Sequence, residues 1–114
     1  MSFLDRLRPP PPPEIRDDPE RERLEIYVGG RRAGYLAYSR RPDAISYDHT
    51  EIEPEFEGKG IGGALIREAL SRARAEGIAV LPRCPFVREY IERHPDQLDL
   101  VPAERREEFA LPAA

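Results

Sequence analysis

Residues 55–70 read EFEGKGIGGALIREAL and set Gly58, Gly60, Gly62 and Gly63 around Lys59, directly before an unbroken helical pattern. Glycine in the first turns of a helix costs roughly 0.5–1 kcal/mol against alanine, so another demand must favour it here. These glycines let the backbone curl until successive N–H groups point at one spot, which also faces the positive end of the following helix. A phosphate or pyrophosphate is the natural occupant, and Lys59 adds charge. A plain tight turn is the competing reading. A P-loop is excluded, because no glycine is followed by Lys-Ser or Lys-Thr. Gly58, Gly60 and Gly63 do have the spacing of a dinucleotide fingerprint. That motif, however, needs a first parallel strand and a longer, doubly wound domain.

Two titratable side chains flank the loop. His49 is the only histidine on a strand leading into it, and an imidazole with an unperturbed pKa of about 6.5 suits a general base. A lone strand histidine is also commonly structural. Cys84 follows AVLP, where a strand ends and a helix begins. A helix N-terminus activates a thiol in general, and Arg83 and Arg88 would assist; the alternative is a small buried thiol. His94, in ERHP, suits the negative end of a helix.

These groups need a scaffold, and the hydrophobic pattern supplies one. EIRDD reads as a short edge strand. RLEIYVGGRRAGYLAYS reads as a hairpin, with Leu24, Ile26 and Val28 alternating before Gly29-Gly30, and Ala33, Tyr35 and Ala37 after it. AISYDHTEI alternates again, with Ile45, Tyr47, His49 and Glu51 on one face and Thr50 and Ile52 on the other. After Pro54 the period changes: Ile61, Leu65, Ala69 and Ala73 recur at helical spacing up to Gly77. IAVLP reads as a short buried strand, and FVREYIERHP as a helix ending before Pro95. The fold class is α+β: an antiparallel β-meander, then a right-handed βαβ unit and a last helix.

That order of elements, with the loop at the first βα turn, resembles the GNAT N-acetyltransferase superfamily. Its acyl-CoA site is built on Gln/Arg-x-x-Gly-x-Gly/Ala, which falls here on Glu57-Gly58-Lys59-Gly60-Ile61-Gly62, with Glu57 departing from the pattern. HTEIEPEFEGKGIGGAL, LPRCPFVREYI and the small size are similar to the minimal YjdJ-type subgroup, over roughly residues 14–100. Where that subgroup often has Ser-Tyr after the cysteine, this chain has Pro85-Phe86. The resemblance implies a GNAT-like mixed sheet and transfer of an acetyl group from acetyl-CoA to an amine. It implies a donor site on Glu51, Ile52 and Glu53, whose strand offers an N–H to the thioester carbonyl, and on Glu57, Gly58, Lys59, Gly60, Ile61, Gly62 and Gly63. It implies His49, Cys84 and Tyr90 as catalytic candidates, Tyr90 as proton donor to the leaving thiolate. A helical tyrosine is also a common core residue. A CoA-binding module without turnover, or an interaction protein, remains the alternative.

The chain's 114 residues make one domain, read over 14–103, between a flexible proline-rich tail (1–13) and a C-terminal tail (104–114). A net charge of −4 argues against general nucleic-acid binding, which depends on neutralising phosphates. The acidic C-terminal segment weakly favours a cationic acceptor. One cysteine excludes an internal disulfide framework. The absence of a secretory signal pattern or a long apolar run makes a cytoplasmic location the expectation, with no metal and no membrane partner. Arg6-x-x-Pro9-x-x-Pro12 satisfies a spacing that SH3-type grooves accept, so weak partner binding through the tail is a further expectation; a solvated spacer is the simpler reading.

Overall fold

A computed structural model describes residues 12–113. Residues 1–11, and with them most of the proline-rich tail and its Arg6-x-x-Pro9 spacing, lie outside the described residues. Five strands, β1 (Glu14–Asp18), β2 (Arg23–Val28), β3 (Arg31–Arg40), β4 (Ala44–Ile52) and β5 (Ala79–Pro82), form one sheet in sequence order. β1 to β4 run antiparallel, and β5 lies parallel to β4 across a helical crossover. That crossover is α1 (Ile61–Glu76), and α2 (Pro85–Arg93) follows β5. The α+β architecture is the expected one.

The sheet has one face under the helices and one open face. Register places Ile15, Ile26, Gly34 and Ile52 in one row, and Asp17, Leu24, Leu36 and Thr50 in the next. Both rows lie on the helix side, where α1 buries Ile61, Leu65, Ile66, Ala69, Leu70 and Ala73 in a single stripe. Tyr47 ties the layers together: its buried hydroxyl donates to the Ala69 carbonyl of α1 at 2.7 Å.

Two irregularities correct the strand faces expected from alternation. The β2/β3 register shifts at Ile26/Tyr27, leaving Ala33 as an extra residue. Leu36 and Tyr38, not Tyr35 and Ala37, therefore carry β3's side of the core. The β3/β4 register shifts between Ala37 and Tyr38, leaving Asp48 as the extra residue. One inserted residue moves every later side chain to the other face. Ile45 and Tyr47 are therefore buried, while His49 and Glu51, expected beside them, are exposed on the open face.

The C-terminal segment also differs from its reading as a tail. After α2 come short 3-10 turns at Pro95–Leu100, Ala103–Arg105 and Glu107–Phe109. Phe109 and Leu111 are buried with Val101 in the common core. Arg83, just after β5, lies over the Phe109 ring at 5.8 Å and beside Glu108. This strap encloses the β5 end of the sheet.

Candidate acyl-donor groove

β4 and β5 pair only from Ala44/Ala79 to Tyr47/Pro82. Pro82 has no N–H to extend the ladder, and Cys84 instead donates its N–H to the Tyr47 carbonyl at 2.8 Å. There the bulge at Asp48 bends β4 while the chain after β5 turns into α2. The two strands part, and the gap opens into a groove of about 820 Å³.

The groove floor is the end of β4. Glu53 donates its N–H to Ala33 at 2.8 Å, so by antiparallel alternation Glu51 also faces β3. The backbone groups of Thr50 and Ile52 point the other way, toward the gap. Of the segment Glu51–Glu53, expected to offer an N–H, Ile52 is the residue whose N–H is free to do so.

The glycine loop forms one wall. A 3-10 turn at Pro54–Phe56 leads into it, and Gly58 and Gly60 both hold φ at 76°. Gly60 is the N-cap of α1, with no side-chain cap bond and no acidic residue in the first turn. The first intrahelical bond is Ala64 N–H to Gly60, so the N–H groups of Ile61, Gly62 and Gly63 have no partner within the helix. A Cβ added at Gly58, Gly60 or Gly63 would meet nothing within 4 Å. Packing does not demand these glycines; two serve the left-handed backbone, and together they leave the space before the helix end empty.

One face of α2 forms the opposite wall. Phe86, Glu89, Tyr90, Arg93 and His94 line it at helical spacing, while Val87 and Ile91 face the core. The Tyr90 ring stacks on His94 with centroids 3.9 Å apart. His94 Nδ1 lies 2.8 Å from the Tyr90 carbonyl, which can only accept, so Nδ1 donates its proton there. Of this wall, the sequence marks Tyr90 as a catalytic candidate and His94 only as a helix-end residue; Phe86, Glu89 and Arg93 carry no role in that reading. The neighbours of Tyr90 three and four residues away share its face, which is the signal that would have found them.

The expected site residues are thus only partly brought together. Glu51, Ile52, Glu53, Glu57, Gly58, Gly60, Ile61, Gly62, Gly63 and Tyr90 all line the groove. Lys59 does not; its ammonium lies 5.9 Å from the Phe56 ring. Cys84 is 1% exposed and sits behind Thr50, whose hydroxyl is 3.2 Å from its sulfur and which itself lines the groove. His49 is on the open face with the Glu51 side chain. Tyr35 donates to that carboxylate at 2.6 Å and His49 Nε2 lies 3.5 Å from it. The hydrogen bond from Tyr35, then that from His49, holds the Glu51 carboxyl below the usual carboxylate range.

This geometry can hold an extended ligand with an anionic group at the loop. Among the described residues no cluster suited to a metal ion occurs and no helix is long and apolar enough to cross a membrane. A family model described as GCN5-related N-acetyl-transferase matches residues 23–100. No curated protein matches the chain.

Proposed function

The chain belongs to the GCN5-related N-acetyltransferase family, and on that premise we propose that it transfers an acetyl group from acetyl-CoA to an amine. The observation that carries this reading is the glycine loop, whose unpartnered N–H groups border open space at the positive end of α1. Bound acetyl-CoA supplies the thioester that the amine attacks directly. The loop N–H groups hold the pyrophosphate, and the Ile52 N–H donates to the thioester carbonyl, where negative charge develops. The amine nitrogen forms the new bond to carbon as the carbon–sulfur bond breaks. His49 takes the proton released by the amine, acting from the open face beyond the β4 edge, and Tyr90 gives one to the leaving thiolate. Thr50 keeps Cys84 oriented at the fork.

A second reading, a CoA-binding module without turnover, is favoured by two placements. His49 is on the face away from the groove, and the Cys84 thiol is buried. One experiment separates the readings. Thermal unfolding is followed with and without acetyl-CoA, on the native chain and on Gly60→Asp, and thiol release is then measured with a panel of amines. Saturation at about 100 times Kd contributes roughly 2.7 kcal/mol, on the order of 10–20 °C for a domain near this size. A shift that Gly60→Asp loses, together with thiol release, supports transfer. The same shift without release from any amine supports the binding module. No shift at millimolar ligand would remove both.

A further inference from the structure

The chain has five tyrosines, and four of their hydroxyls are committed to partners within it. Tyr27 donates to Glu25, Tyr35 to Glu51, Tyr38 to Asp17 and Tyr47 to the Ala69 carbonyl. Tyr90 is the exception. Among the described residues its hydroxyl has no partner, although its ring is half-buried on the groove wall. A proton donor needs a free hydroxyl and a held ring at once, because a side chain that turns freely aims its proton correctly only part of the time. A hydrogen bond to the hydroxyl would hold the ring but take the proton out of use.

His94 holds the ring in another way. Pro95 disfavours helical backbone at the residue before it, and His94 leaves α2 with φ −127° and ψ 77°. Its imidazole lies back over the last turn and stacks on the Tyr90 ring, with centroids 3.9 Å apart and planes 12° from parallel. Nδ1 donates to the Tyr90 carbonyl at 2.8 Å, which fixes the imidazole itself. His94 is thus anchored on Tyr90 twice, by ring and by backbone, and neither anchor uses the hydroxyl. Resting on the acetyl-transfer reading above, we propose that His94 is a positioning residue for Tyr90: it clamps the phenol by its face and keeps the free hydroxyl at the groove, where the thiolate leaves. It transfers no proton itself. A side chain serving only the negative end of α2 would need its donor or its charge, but no flat ring.

The test measures thiol release from acetyl-CoA by the full chain, with the fastest amine of the panel above. His94→Ala, His94→Phe and His94→Asn are compared with the native chain, and His94→Ala is also made together with Tyr90→Phe. His94→Ala should lower kcat about three- to tenfold, the size of one lost aromatic stacking contact. KM for acetyl-CoA should stay within about twofold, since what is lost acts on the departing sulfur and not on binding. His94→Phe keeps a flat ring and should recover most of the rate; His94→Asn keeps a donor without an aromatic ring and should not. Tyr90→Phe should be slow by itself, and adding His94→Ala should cost less than about twofold more, because no hydroxyl is left to position. Melting curves check that each variant is folded at the assay temperature. Rescue by Asn and not by Phe, an undiminished loss in the Tyr90→Phe background, or a Tyr90→Phe chain as fast as the native one would each overturn the proposal and leave acetyl transfer standing. A native chain that releases no thiol with any amine ends the acetyl-transfer reading, and this proposal with it.

Discussion

Gly63 separates what a residue does for the fold from what it does for a ligand. It lies within α1, has ordinary helical backbone, and a Cβ there would meet open space. Replacing it with alanine should therefore stabilise the chain by about 0.5–1 kcal/mol through helix propensity alone. If the loop holds the donor's pyrophosphate, the same methyl group stands where the ligand approaches. Gly63→Ala should then raise the melting temperature and weaken acetyl-CoA binding together. Unchanged affinity would mean that the ligand lies elsewhere. The loop was legible in the sequence because its glycines contradict the helix they begin. The position of His49 was not, since nothing in AISYDHTEI marks Asp48 as the extra residue. Glu25, on the open face, shows a different kind of residue effect. Burial disfavours its ionised form, yet hydrogen bonds from Arg32 and Tyr27 and the nearby Arg23 outweigh this and hold its carboxyl below the usual 4.5. Its contribution is thus fully present above about pH 4.5 and is lost as pH falls through the lower folded-state value. Denaturant unfolding across acid pH should show this decline. Glu25→Gln should flatten it and lower stability at neutral pH by about 1–2 kcal/mol.

At the scale of elements, the fork between β4 and β5 depends on how closely β3 and β4 approach. A Cβ at Gly34 would lie 2.4 Å from the Glu51 carbonyl oxygen and 2.7 Å from the Ile52 side chain. The carbonyl belongs to the β4 backbone and cannot move aside alone, so Gly34→Ala must push the strand that floors the groove. Overpacking of this kind costs about 1–3 kcal/mol. Urea unfolding should report that loss, and acetyl-CoA affinity should fall with it because the Ile52 N–H shifts. Full native stability in Gly34→Ala would show that β4 yields easily and that the groove floor is not set by this contact. The element order was readable because strand and helix periods differ plainly, and Pro82 and the glycine loop punctuate the crossover. The faces were not, for a physical reason. A bulge leaves the alternation intact on either side and changes only its phase, so Tyr35 and Ala37 look as inward as Leu36 and Tyr38 until the partner strand fixes the register.

At the scale of the whole molecule, the sheet is closed at its β5 end by a strap that carries almost no periodic signal. DQLDLVPAERREEFALPAA is charged and proline-interrupted, and its 3-10 turns are too short to show an apolar stripe. Only two of its later side chains, Phe109 and Leu111, reach the core. Burying a Phe or Leu side chain contributes about 1.5–3 kcal/mol, so the pair supplies about 3–6 kcal/mol. A domain of this size has about 5–15 kcal/mol in total. Ending the chain after Pro102 should therefore lower the melting temperature by more than about 10 °C, and should also free Arg83 from Glu108 and the Phe109 ring beside the Cys84 segment. Removing only residues 112–114, beyond the last buried side chain, should change little. The comparison of the two truncations by circular dichroism decides the matter. Equal melting temperatures would mean that the strap rests on a sheet already complete without it. A large loss confined to the longer deletion would mean that this small domain depends on its last turns to stay folded around the fork.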